Sequence, residues 1–145
     1  MKVKDILKTK GPHVYTIGEE NTLRQAAESL VRNQIGVLLT LSSEGRLTGI
    51  ISERDILRET VRDGFDYETI KVREAMTKRI IYVDVEDEIE YIQQVMTANK
   101  IRHVPALHNK VLVGLISIGD VVKALITDKE FENKYLMDYI SGSLR

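Results

Sequence analysis

The chain contains no cysteine. Disulfide bonds, thiolate catalysis and cysteine-ligated metals are therefore excluded, and the absence accords with a reducing, cytoplasmic setting. Excess charge is lacking too, the formal net charge being -1 at pH 7. Without a positive field or a basic tail, general binding to nucleic acid or to an anionic membrane is not expected. No apolar run approaches the roughly 20 residues that span a bilayer, and the opening MKVKDILKTKG has no long apolar stretch of the secretory kind. Common catalytic signatures are missing: no HExxH, no GxxxxGK[ST], no GxGxxG and no nucleophile-elbow serine occurs. His13, His103 and His108 have no ligand-like spacing, so no metal is expected. The acidic run Asp84, Glu86, Asp87 and Glu88 reads as a solvated helix start that complements the helix dipole.

What is present is a globular balance, with 43% hydrophobic and 30% charged residues over 145 positions. The chain also repeats itself. Gly49-Ile50-Ile51-Ser52-Glu53-Arg54-Asp55-Ile56-Leu57 matches Gly114-Leu115-Ile116-Ser117-Ile118-Gly119-Asp120-Val121-Val122. Upstream, Asn33-Gln34-Ile35 matches Asn99-Lys100-Ile101, and Val14-Tyr15 matches Ile81-Tyr82. Val3-Lys4-Asp5-Ile6-Leu7 resembles Val72-Arg73-Glu74-Ala75-Met76. The matches run in order over nearly the whole chain, which chance does not explain.

Each copy has one grammar. A short extended segment (Val14–Ile17, then Ile80–Val83) is β-branched and aromatic, as strands prefer. An amphipathic helix follows, with Leu23, Ala26, Ala27, Leu30 and Val31 at helical spacing behind an Asn21 cap. Its counterpart carries Ile89, Ile92, Val95 and Met96 behind Asp87. Two strands around a tight turn come next: Val37–Leu41 and Leu47–Ile51, then Val104–Leu107 and Val111–Ile116. A second helix closes each copy, near Glu53–Arg62 and Ile118–Thr127, and a further helix is expected from Lys129 to Tyr139 before a frayed Ser-Gly-Ser end. The expected fold is thus α+β, of the α/β layered kind: two β-α-β-β-α repeats related by a pseudo-twofold axis, sheets packed together and helices outside. One copy alone is marginal in buried area, and two symmetry-related clefts between copies would favour ligands. In sequence order the division is repeat one at 1–65, repeat two at 66–128, and a helix and tail at 129–145.

The Gly-apolar-apolar-Ser-x-x-Asp element, ending a strand and opening a helix in both copies, resembles the CBS domain family. So does Lys100-Ile101-Arg102-His103-Val104-Pro105 before the second hairpin. The likeness extends from about Val3 to Leu125, and the run Gly49–Arg58 is similar to stand-alone bacterial CBS-pair proteins. The resemblance implies binding of an adenosine-containing ligand (AMP or NAD(H) favoured, ATP and S-adenosylmethionine within the class), transmission of occupancy to an effector protein, and homodimerisation.

The motif chemistry agrees. One carboxylate accepts both hydroxyls of a ribose diol, so Asp55 and Asp120 are the natural ribose holders. Ser52 and Ser117 each add a hydroxyl donor for phosphate beside a helix N-terminus. Ser-x-x-Asp before an apolar helix is equally a capping box, and the two roles coexist for the serine. The resemblance implies that Asp120, Ser117, Arg102, His103 and Arg54 converge on one ligand, with Thr16, Ile17, Ile35 and Val37 forming its adenine slot. The mirror site has Asp55 and Ser52, but Gly36 and Gly119 bring no charge, so one strong and one weak site are expected. Separately, each of these residues has a plain reading: Arg54 and Arg102 as solvated surface cations, His103 as a strand histidine, the aliphatics as core.

Two functions of different kind follow. The first is a regulatory adenine-nucleotide-binding module acting on a partner in trans, without catalysis or metal. The second is a ligand-free structural or dimerisation module, in which Asp120 only caps. A nucleotide hydrolase would need a general base and usually a metal, whereas the implied phosphate cluster is basic. A homodimer is expected through an apolar outer stripe near Ile56 and Val121.

Overall fold

The computed structural model describes residues 1–141, excepting the side chains of residues 128–132, 135 and 138–141. In chain order, α1 (Val3–Lys10) leads into β1 (Thr16–Gly18), α2 (Leu23–Asn33), β2 (Val37–Leu41), β3 (Leu47–Ser52) and α3 (Glu53–Thr60). A second leading helix, α4 (Val72–Ala75), precedes β4 (Val83–Asp84), α5 (Ile89–Asn99), β5 (His103–His108), β6 (Val111–Ser117) and α6 (Ile118–Ser141). The repeat in the sequence is thereby a repeat in space-filling elements, and the fold is mixed α+β with two three-stranded sheets.

The sheets have the same topology, β1-β2-β3 and β4-β5-β6. In each, the first strand runs parallel to the second, reached through a crossover helix, and the second pairs antiparallel with the third through a hairpin. In the second hairpin, Asn109 and Lys110 link His108 to Val111 with φ of 51° and 66°. Two consecutive positive φ values are those of a type I′ turn, whose twist matches that of the strands. Strand β2 is buried along Val37–Thr40, so Val37-Leu38-Leu39 reads as a continuous apolar run instead of alternating.

By contacts the chain forms two compact units, His13–Ile80 and Met1–Pro12 with Ile81–Arg145. These are a different partition from the sequence-order repeats, because each leading helix sits in the unit of the other repeat. Helix α1 is tied there by Val3 N–H to Asp87 O (3.0 Å) and Lys4 N–H to Val85 O (3.0 Å). Helix α4 repeats the arrangement with Val72 N–H to Asn21 O (2.8 Å) and Arg73 N–H to Glu19 O (2.9 Å). Packing makes the exchange useful: Val3 and Ile6 join the core of Ile89, Ile92, Val104 and Ile116, while Val72 joins Leu23, Leu30, Leu38 and Ile51. Burying each such aliphatic side chain contributes about 1.5–3 kcal/mol.

Three local expectations are corrected. Thr22, not Asn21, caps α2: its hydroxyl accepts from Gln25 N–H at 3.2 Å and Gln25 Oε1 accepts from Thr22 N–H at 2.9 Å. Asp87 does not cap α5; it accepts from Asp84 N–H (2.8 Å), closing the preceding turn, and Glu88 takes the cap position. The closing helix of repeat two and the tail helix are one continuous helix, since beyond Gly119 in its first turn no proline or glycine interrupts the chain from Asp120 to Ser141. Gly142 and Ser143 of the expected frayed end lie outside the described residues. Among the described residues, no helix is long and apolar enough to cross a membrane.

The apolar stripe expected near Ile56 and Val121 faces inward. Val121 is fully buried in one core and Ile56 packs against the other. Helical periodicity places Leu57 outward on α3, Val61 outward at its C-cap, and Val122 and Ile126 outward on α6. Of the residues named for a dimer face, Val121 is core and Ile56 is half-buried, each one position out of phase with an exposed neighbour.

Candidate functional site

In each unit a strand runs without a loop into a helix, and Ser-x-x-Asp lies at the junction. Asp120 N–H donates to Ser117 Oγ (3.1 Å), and Ser117 N–H donates to Asp120 Oδ2 (2.9 Å). Ser52 and Asp55 make the same reciprocal pair at 3.1 and 2.9 Å. The capping box is thus formed twice. The segment before each hairpin is clamped to the same helix start: Ile118 N–H donates to Arg102 O (2.8 Å), and Glu53 N–H donates to Gly36 O (3.0 Å).

Beyond the shared backbone the two junctions diverge. The Asp55 side chain is only 6% exposed, and both its oxygens are engaged. Thr77 Oγ1 donates to Oδ1 at 3.3 Å, and Arg58 lies 3.5 Å from the same oxygen. Asp120 is 23% exposed, and its Oδ2 takes the Ser117 amide and a 2.7 Å ion pair from Lys10 Nζ. Among the described residues no hydrogen bond reaches Asp120 Oδ1. Lys10 also donates to Leu115 O at 2.8 Å, which fixes the ammonium at the edge of β6.

Charge separates the junctions further. Around Asp120 stand Lys10, Arg102 and His103. Burial is the largest influence on His103 and holds its pKa below the ordinary histidine value; the positive charges of Lys10 and Arg102 lower it further, against an opposing pull from Asp120. Near neutral pH this imidazole is uncharged and offers an N–H, not a charge. For Asp120, burial opposes ionisation, but the Lys10 and Ser117 hydrogen bonds together outweigh it and hold the carboxyl below its ordinary pKa. At the other junction the residue opening the helix is Glu53, whose carboxylate lies 3.7–3.8 Å from where a Cβ on Gly36 would stand. An anion beside that helix start would meet the Glu53 carboxylate along with Arg54 and Arg58, whereas beside Asp120 it would meet Lys10 and Arg102 with no glutamate at the helix start.

Of the residues expected to act together, Asp120, Ser117, Arg102 and His103 are gathered within one unit. His103 pairs directly with Ser117 across β5 and β6. Arg54, Thr16, Ile17, Ile35 and Val37 belong to the other unit. Arg54 is exposed on the first turn of α3, and Thr16 is exposed on β1. Ile17 and Val37 are buried. Ile35 packs against the core and also lines a groove of about 530 Å³ between α2 and α3, with Leu30, Gly36, Glu53, Ile56 and Leu57. Lys10 was not among the sequence candidates. It lies 110 residues from Asp120 along the chain, and the only signal for it was the repeat of the leading helix, which did not say where that helix packs. Among the described residues, no group of three or more His, Cys, Asp or Glu could hold a metal ion.

Comparison with known proteins places these observations in a family. The CBS domain family model matches residues 3–62 and 72–127. The mitochondrial CBS domain-containing protein CBSX3 of Arabidopsis thaliana is 32% identical, over 97% of this chain and 72% of its own length. A solved structure from Burkholderia ambifaria, described as a signal-transduction protein with CBS domains, is 33% identical with a TM-score of 0.83, covering 88% of this chain and 96% of that one. The structure of Hypoxic Response Protein I, which contains two coordinated zinc ions, is 29% identical with a TM-score of 0.70, covering 85% and 98%.

Proposed function

Because this chain belongs to the CBS domain family, with two copies along its length, we propose that it is a regulatory module that senses an adenine nucleotide and acts on a partner protein in trans. The ligand is AMP or NAD(H), which share an adenosine monophosphate end, with ATP in the same class. Asp120 holds the ribose diol, and Ser117, Arg102 and His103 attend the phosphate. Arg54, Thr16, Ile17, Ile35 and Val37 enter the proposal through the family resemblance alone, Arg54 for phosphate and the other four for adenine. Asp55 and Ser52 form the weaker second site.

The observation that carries this reading is the contrast between the two aspartates. A ribose holder needs a reachable carboxylate with acceptor capacity left over. Asp120 is partly exposed and, among the described residues, keeps Oδ1 without a hydrogen bond, in a cluster of basic residues; Asp55 is buried and both its oxygens are engaged. The same contrast supports one strong site over two equal ones. It also bears on catalysis: a cluster of Lys10, Arg102 and neutral His103 binds an anion, and the reading is of a sensor, not an enzyme.

Calorimetric titration with AMP, ATP, NAD, NADH and S-adenosylmethionine tests it, run on the wild type, Asp120→Ala and Asp55→Ala. The expected result is saturable binding of at least one phosphorylated ligand, weakened ten-fold or more by Asp120→Ala, roughly one charge-assisted hydrogen bond or more. Asp55→Ala should leave that affinity nearly unchanged. Neither heat nor thermal stabilisation with any of the five would overturn the sensor and favour the ligand-free structural module.

A further inference from the structure

The two leading helices deliver different chemistry to equivalent places. The residues following α4 bring the Thr77 hydroxyl to Asp55, and the last turn of α1 brings the Lys10 ammonium to Asp120. Among the described residues, Lys10 is held by two acceptors, Asp120 Oδ2 and Leu115 O, and its own side chain is one-third exposed. A ribose diol arriving at Asp120 competes for the carboxylate that neutralises this ammonium. A ligand without negative charge therefore leaves Lys10 with its main counter-charge shared or lost. A ligand carrying a 5′-phosphate supplies a replacement charge, and the four-carbon stem of lysine lets the ammonium swing to it without moving the backbone.

We propose that Lys10 is a specificity-determining residue: an internal counter-ion of Asp120 that must be handed to the ligand, and that thereby selects phosphorylated adenosine derivatives over uncharged or cationic ones. The inference rests on the nucleotide-sensing reading and deepens it. Arg102 and His103 do not do the same job. Neither makes a hydrogen bond or an ion pair to Asp120 among the described residues, so neither is displaced when a diol binds. Among the described residues, Lys10 is the cation that the Asp120 carboxylate holds, so it couples the occupancy of that carboxylate to the charge of the ligand.

The test is the ratio of affinities for AMP and adenosine, measured by calorimetry on wild type, Lys10→Met and Lys10→Arg, with Asp120→Ala as control. In the wild type AMP should bind at least about 10-fold more tightly than adenosine. In Lys10→Met the ratio should fall by about 10-fold, through weaker AMP binding and unchanged or tighter adenosine binding, while Lys10→Arg keeps most of it; one charge-assisted contact has this size. Far-UV circular dichroism and melting curves establish that the variants are folded, which the exposure of Lys10 favours. An unchanged ratio in Lys10→Met, with binding still lost in Asp120→Ala, would overturn the role of Lys10 and leave the sensor intact. Equal tightening of both ligands would make Lys10 a plain competitor and also overturn the selection. Failure of both ligands to bind the wild type would overturn the sensor and this inference with it.

Discussion

Gly49 and Gly114 occupy equivalent positions in β3 and β6, and alanine at the two sites should have different consequences. A Cβ on Gly49 would stand 2.7 Å from Thr77 O, 3.1 Å from Thr40 Oγ1 and 3.2 Å from Met76 Sδ. The first of these is backbone, and it is the backbone that ties the segment after α4 to β3: Ile50 N–H donates to Thr77 O (3.0 Å) and Thr77 N–H to Ile50 O (2.8 Å). Relieving the clash means moving that segment. Overpacking costs roughly 1–3 kcal/mol, and weakening the two hydrogen bonds adds about 1 kcal/mol each at most. The lower entropy of an unfolded alanine offsets about 0.5–1 kcal/mol. The net loss is about 2–3 kcal/mol for Gly49→Ala, and Tm should fall by on the order of 5–10 °C.

At Gly114 the nearest atom is Leu7 Cδ2, at 2.5 Å from the added Cβ, followed by Leu7 Cδ1 at 3.3 Å. This is the far end of a flexible, partly buried side chain on α1, and it can yield where a backbone carbonyl cannot. The strain there is comparable with the entropic gain, so Gly114→Ala should stay within about 1 kcal/mol of wild type. Urea denaturation followed by circular dichroism measures both. If Gly114→Ala costs as much as Gly49→Ala, the distinction between a backbone wall and a side-chain wall is wrong.

The two aspartates should separate stability from binding. Asp55→Ala removes the acceptor of Ser52 N–H and Thr77 Oγ1 inside a buried junction and should lower stability by about 1–3 kcal/mol; Asp120→Ala, at a more exposed carboxylate, should cost less in the same urea titration. Acidification should destabilise the protein through His103. Its folded-state pKa lies below the unfolded value of 6.5, so the unfolded chain binds more protons and stability falls as pH drops below about 6.5. Asp120 acts in the same direction in a lower window: its stabilisation is present above about pH 3.8 and is lost as pH falls through its depressed folded-state pKa. Urea midpoints at pH 7.5 and 5.5 should differ less in His103→Gln than in wild type, and an equal difference in the two proteins would refute the assignment.

The sequence by itself determined the repeat, the order of elements within it and the paired Ser-x-x-Asp junctions. These depend on local spacing: apolar positions three and four apart make a buried helix face, and a glycine-bounded β-branched run makes a strand. It also showed that Arg102 and His103 face Gly36 and Val37 as counterparts, which is a difference of residue type and needs no coordinates. Caps and helix phase were less legible. Asn21 and Thr22 are both good capping residues, and only the reciprocal bond between Thr22 and Gln25 chooses between them. Ile56 and Leu57, or Val121 and Val122, are adjacent apolar residues, and which one turns inward depends on what packs against the helix. Tertiary structure alone decided that α1 serves the unit of the second repeat, because long-range packing of Val3 and Ile6 leaves no periodic trace in the sequence. That placement puts Lys10 on Asp120 and Thr77 on Asp55, so the character of each carboxylate, open and ion-paired or buried and saturated, is set by chain segments distant from it in sequence.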